Sequence, residues 1–178
     1  MPVFALWGVA AFLIVIASFL PSIQAASEAN LGALAQTRAE LAVYRWPEWP
    51  FQDAVRRSDK VDLTAAITHY QAALALDPSN VTANRRLGQI ELSFEQYDEA
   101  KRHLSAAYAV APGQRATRQL LGECYAIGGD IDRAVALWKT IDTGQMQLEL
   151  RKQWYSDYLG EQARAARLTE AMAALDKH

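Results

Sequence analysis

Two hydrophobic patterns divide the chain. From Val3 to Leu20 it reads VFALWGVAAFLIVIASFL, apolar except for Ser18, and no Asp, Glu, Lys or Arg occurs before Glu28. As a helix this run spans roughly 27 Å, close to the roughly 30 Å of a bilayer's hydrocarbon core. Trp7 suits an interface at one end, and Pro21 predicts a bend or exit at the other. Residues 1–27 therefore read as a transmembrane anchor or uncleaved signal. A cleaved signal peptide would have Ile23-Gln24-Ala25 as its cutting site but has no Lys/Arg-rich start. Residues 28–52 follow as an amphipathic helix, Leu31 to Tyr44, and a Trp/Pro linker, RWPEWPF, whose prolines predict extended backbone at Trp46 and Trp49.

From Asp53 onward the helical pattern recurs every 34 residues. Ala66, Ala100 and Ala134 keep that spacing, as do Leu87-Gly88 and Leu121-Gly122, and Pro78 and Pro112. Tyr70, Leu104 and Trp138 share one equivalent site. Such a period, with small residues at fixed sites, means stacked helix-turn-helix units. The small residues allow close helix approach, and the prolines end each second helix. Ser79-Asn80 supplies a turn and cap, and Gly128-Gly129-Asp130 a tight turn.

The segments AAITHYQAALALDPSN and EAKRHLSAAYAVAPGQ resemble the second helix and terminator of the tetratricopeptide repeat (TPR) family. The resemblance implies an all-α fold, a right-handed helix-turn-helix solenoid, and the apolar run at 3–20 adds one N-terminal transmembrane helix before it. The repeats are expected over 53–146, with Asp53-Ala54 standing where the first Leu-Gly would be and a short first helix near Pro50 to Ser58. Residues 147–178 read as a degenerate repeat or C-terminal capping pair. A second resemblance, carried by NLGALAQTRAELAVYRWPEWP and TANRRLGQIEL, is to the repeat tail of bacterial O-antigen ligase-like membrane proteins.

Charge and composition remove several function classes. The net charge is −2, so no global basic field recruits nucleic acid. The single cysteine, Cys124, reads as a small packed thiol. No P-loop, dinucleotide fingerprint or HExxH occurs, and no catalytic residue, metal site or cofactor is expected. His69 and His103 are 34 apart and read as solvated outer-face residues. Asp98/Glu99 and Asp130/Asp132 suit the first turns of helices.

In the TPR family the first helices line a concave groove. The resemblance implies a protein or peptide partner held by Thr82, Arg85, Gln89, Leu92, Ala116, Gln119, Glu123 and Ala126, with Gln153 and Asp157 adding to it. The asparagines of the family's carboxylate clamp are missing beside Arg85 and Arg86. Trp46, Trp49 and Phe51 offer a hydrophobic docking surface or a cover for the edge of the first repeat. The expected function is a single-pass membrane scaffold, non-enzymatic, an accessory or assembly subunit with its repeats on the extracytoplasmic side. The alternatives are an accessory factor of envelope polysaccharide machinery, or an exported soluble repeat protein if the N-terminus is cleaved.

Overall fold

The computed structural model describes residues 2–45, 51–141 and 145–177, with backbone alone for 2–19 and 145. Among these the regular elements are helices: α1 (Pro2–Val43), α2 (Gln52–Arg56), α3 (Thr64–Leu76), α4 (Val81–Ser93), α5 (Tyr97–Val110), α6 (Arg115–Gly128), α7 (Ile131–Trp138), α8 (Gln145–Gln153) and α9 (Gln162–Leu175), with a π-helical turn at Trp154–Tyr158 between the last two. Local signals set many of the boundaries. Asn80 caps α4 by accepting from the Ala83 amide at 3.0 Å, and Asp130 caps α7 by accepting from Arg133 at 3.3 Å. Asp98, Glu99 and Asp132 sit in first turns, as expected. Gly129 closes α6 with φ 91°, a left-handed value that glycine adopts without cost. Its equivalent 34 residues earlier is Glu95, at φ 64°.

Helices α4/α5 and α6/α7 form two hairpins of the expected kind. Ala100 and Ala134 are fully buried, as are Leu104 and Trp138. The glycines set the approach distance: a methyl carbon at Gly88 would stand 2.6 Å from Leu104 Cγ and 3.1 Å from the Ala100 carbonyl oxygen, and one at Gly122 would collide with the Trp138 indole.

The first repeat is not built as expected. Its first helix is the C-terminal half of α1, which packs along α3 more extensively than any other pair of helices meets. Gly32 plays the part of Gly88 and Gly122, since a methyl carbon there would stand 2.6 Å from Tyr70 Cε1. Ala29 and Tyr70 are buried in the same cluster with Ala66, Ala73, Leu87 and Ile90. Asp53-Ala54 is therefore not a Leu-Gly substitute. It lies on α2, inside a connection running from the end of α1 to Thr64, where the other two hairpins have only short turns. Pro21 also departs from expectation: α1 continues through it, and its exposed position lets the lost backbone hydrogen bond go to water.

Helix α8 begins ahead of the 34-residue frame that Val81 and Arg115 set, and α9 packs against α6, α7 and α8. The π turn lets consecutive Trp154 and Tyr155 both point inward. Among the described residues no helix is long and apolar enough to cross a membrane. The span expected over 3–20 lies, apart from Leu20, where side chains are outside the described residues.

Overpacking sets one expectation. Gly88→Ala should lose up to about 2 kcal/mol, because a packing penalty of ~1–3 kcal/mol opposes ~1 kcal/mol of helix propensity. Gly113→Ala, with nothing within 4 Å of the added carbon, should be neutral or slightly stabilising. Urea midpoints of the two variants check this. Glu95→Gly should gain about 1 kcal/mol by relieving the left-handed backbone, since its half-exposed contact with Arg57 offsets little; an unchanged midpoint would contradict it.

Candidate functional site

Helix α2 packs on α1 and α4, and its Asp53 reaches Arg151 of α8, which in turn meets Glu123 of α6. A polar chain runs from α1 to α8 through that small helix. At one end Tyr70 donates to Gln36 Oε1 at 2.8 Å, and Gln36 donates to Glu40 Oε1 at 2.7 Å. Arg56 of α2 donates to the same Glu40 oxygen at 2.8 Å and to Ser93 Oγ at 3.2 Å. Ser93 donates in turn to Asp53 Oδ1 at 2.8 Å. Arg151 of α8 donates to Asp53 Oδ2 at 2.5 Å. Its other nitrogens reach Glu123 of α6, Nε to both carboxylate oxygens at 2.9 and 3.0 Å and Nη2 to Oε1 at 2.6 Å. Tyr155 ends the chain by donating to Glu123 Oε1 at 2.7 Å.

Cations and anions alternate along this path, which is what burial requires: a charge out of water must face its opposite and fill its hydrogen-bonding capacity. Burial pushes the Asp53 carboxyl up, but Arg151 and Arg56 outweigh it and hold it below its ordinary 3.8. Burial also works against the Arg151 charge, yet Glu123 and then Asp53 keep its value well above the ordinary one. Burial first, then Glu123, raises Tyr155, and burial raises Tyr70 to about 12, so both phenols remain donors.

Helix α2 divides what is left of the groove. A cavity of about 320 Å³ lies on the α1 side, bordered by Glu40, Tyr44, Gln52 and Arg86. A smaller one of about 170 Å³ lies on the α6 side, bordered by Gln89, Gln119 and Leu120. On α4, Nε of Arg85, Nε of Arg86 and Oε1 of Gln89 are buried and have no hydrogen-bond partner among the described residues. Burial lowers Arg85 from its ordinary value, and the neighbouring Arg86 lowers it further.

Residues 60–93 match the family model described as TPR repeat, and residues 91–143 match the one described as Tetratricopeptide repeat. The chain carries tetratricopeptide repeats. No curated protein matches it. Helices α1 and α2 precede both TPR matches.

The TPR groove residues expected from sequence separate into two sets. Thr82, Arg85, Gln89 and Gln119 are half-buried and Ala116 is exposed, whereas Leu92, Glu123 and Ala126 are buried. Leu92 and Ala126 belong to the core, and Glu123 is taken by Arg151 and Tyr155. Gln153 is half-buried and Asp157 exposed, with its carboxylate accepting from Ser156 at 2.6 Å; the C-terminal pair sends Arg151 into the groove instead. Phe51 does not cover the first repeat. It packs on Trp154 and Tyr158 of the π turn, with ring centroids 5.8 and 6.5 Å apart. Trp46 and Trp49 lie outside the described residues. The residues that sequence reasoning missed are Gln36, Glu40, Asp53, Arg56, Ser93, Arg151 and Tyr155. The Leu31-Gly32 pair was the available signal for the first of these, since it places 36 and 40 on a TPR first helix.

One histidine needs correction. His103 is not a solvated outer-face residue but is buried against Glu91 at 2.8 Å, whereas His69 stays partly solvated and meets Glu28 at 2.6 Å, each carboxylate coming from a first helix. Cys124 is a buried thiol raised by burial and by Glu123, as a packed cysteine should be. Among the described residues no His, Cys, Asp and Glu side chains gather as a metal site would require.

Removing the central cation should be costly. Arg151→Met leaves the Asp53 and Glu123 carboxylates facing each other without it, a loss of about 3–5 kcal/mol, and adding Glu123→Gln should restore part. Urea unfolding of both variants measures this. Because the folded Asp53 value lies below 3.8, its stability is present in full above that pH and is lost as the pH falls below it. Wild-type stability should thus drop more steeply than that of Asp53→Asn below about pH 4; parallel profiles would remove Asp53 from the account.

Proposed function

We propose that this chain is a membrane-tethered, non-catalytic scaffold whose short repeat solenoid holds a protein partner in its concave groove. Tetratricopeptide repeats support the protein-binding part of the reading. The observation that carries the site is the row of buried polar atoms on α4, at Arg85, Arg86 and Gln89, that no described residue satisfies. Buried donors and acceptors are normally paired; a partner's carboxylates or backbone carbonyls would accept from the two arginines, and its N–H groups would donate to Gln89 Oε1. The binding strip is then Thr82, Arg85, Gln89, Ala116 and Gln119, the groove residues with surface to offer.

The tether rests on the Val3–Leu20 run. It is supported by the continuity of α1, a single helix from the run to the first repeat, which would hold the solenoid at a set distance from a bilayer. The partner then belongs to a membrane complex or its assembly. An extracytoplasmic position for the repeats follows from the lack of any basic residue between the run and Arg38.

A photoreactive residue at Gln119, irradiated in native membranes, should give one dominant adduct that Arg85→Ala/Arg86→Ala weakens at least tenfold while the urea midpoint stays close to wild type. Adducts spread over abundant proteins, or unaffected by the double substitution, would sink the groove reading. For the tether, the protein should stay with membranes through alkaline extraction at full intact mass. Release together with a loss of about 25 residues would show an exported soluble form instead.

A further inference from the structure

The same groove already contains a peptide. Helix α2 sits where a partner segment would lie, and it is held chiefly by side chains: Asp53 by Ser93 and Arg151, Arg56 by Glu40 and Ser93, and Phe51 by the Trp154 and Tyr158 rings. Besides Phe51, its apolar anchors are Ala54 and Val55. It has five residues and no side-chain N-cap, so little of its helicity is its own.

Among the charged groups of the groove wall, Glu40 alone loses its cation, Arg56, when α2 leaves. Without it, Arg151 keeps its three-contact pairing with Glu123, Glu40 keeps Gln36, and Ser93 keeps the Gln89 carbonyl at 3.1 Å. A receptor whose groups are held by second partners is pre-organised for whatever presents the matching charges. The connection that carries α2, between Val43 and Thr64, is also far longer than the Gly129-Asp130 turn that joins α6 to α7, so α2 can leave without parting the hairpin.

We infer that α2 is a tethered stand-in for the partner: the groove selects a short helical segment with an aromatic residue, a carboxylate two positions on and an arginine three positions after that, and Phe51-Gln52-Asp53-Ala54-Val55-Arg56 competes with it. This rests on the groove being the partner site, and it adds the partner's chemistry and a competition that sets its apparent affinity.

Two measurements on the full chain test it. Native-state hydrogen exchange of the wild type should show the Val55, Arg57 and Ser58 amides, which bond to Phe51, Asp53 and Val55 carbonyls, exchanging through a local opening while α4 stays protected. Exchange of these amides only with global unfolding would overturn the inference, because α2 would then be an inseparable part of the fold. Next, a fluorescent peptide of residues 51–58 is titrated into wild type and into Asp53→Lys/Arg56→Glu, whose reversed charges evict α2. It should bind the variant at least tenfold more tightly, and a peptide with the same two charges reversed should not. Equal weak binding to both chains, with the variant's α2 amides open, would overturn the inference. If the variant does not fold, the wild-type exchange decides alone. A dominant Gln119 adduct obtained with α2 protected throughout would leave the scaffold reading standing and remove this one. Tight peptide binding without any Gln119 adduct would do the reverse.

Discussion

One buried guanidinium joins the two ends of this fold. Arg151 comes from the last helix pair, yet its partners are Glu123 in the third repeat and Asp53 in the connection of the first. The Glu123 side is bidentate, the strongest geometry such a pair adopts. The Asp53 side bridges 98 residues of sequence. A cation buried between two carboxylates has little to gain from any other arrangement, because each carboxylate left alone would face a desolvation cost of several kcal/mol. Specificity follows from that penalty more than net stability does. Misplacing α8 strands the buried Glu123 carboxylate, so the network favours one placement of the last helix pair against the third repeat.

This changes what kind of solenoid the chain makes. Repeat proteins are usually quasi-one-dimensional, each unit touching only its neighbours. Here the connection inside the first repeat reaches the final pair through Asp53 and Phe51. The short stack is braced between its first and last units. The brace is polar where it meets α1, α4 and α8, and it joins the hydrophobic core through Ala54 and Phe51.

The stack also begins earlier than its period suggests. A 34-residue repeat is legible because the close approach of two helices demands small residues at fixed steps, which leaves Ala66, Ala100 and Ala134 and two Leu-Gly pairs in register. The same constraint operates at Gly32, but the inserted connection moves it out of register with Tyr70. The 34-residue period therefore does not reach Gly32, and by spacing alone the first-helix position falls on α2. Burial, and not spacing, identifies the true one: α1 continues through Pro21 because the helix beyond it has a partner surface on α3.

The sequence by itself determined the helical class, the hairpins of the second and third repeats, their caps and their turns. Those features depend on interactions between residues near in sequence or related by a fixed period, so the pattern carries them. It also marked the apolar run before Pro21. Only the tertiary structure decided that Asp53, Arg56, Glu123 and Arg151 meet, that His69 and His103 each face a carboxylate, and that Phe51 rests on the C-terminal pair. Charged residues in a linker read as solvated when taken alone. Their partners lie tens of residues away, and only folding brings opposite charges close enough, and dry enough, for the pairing to matter.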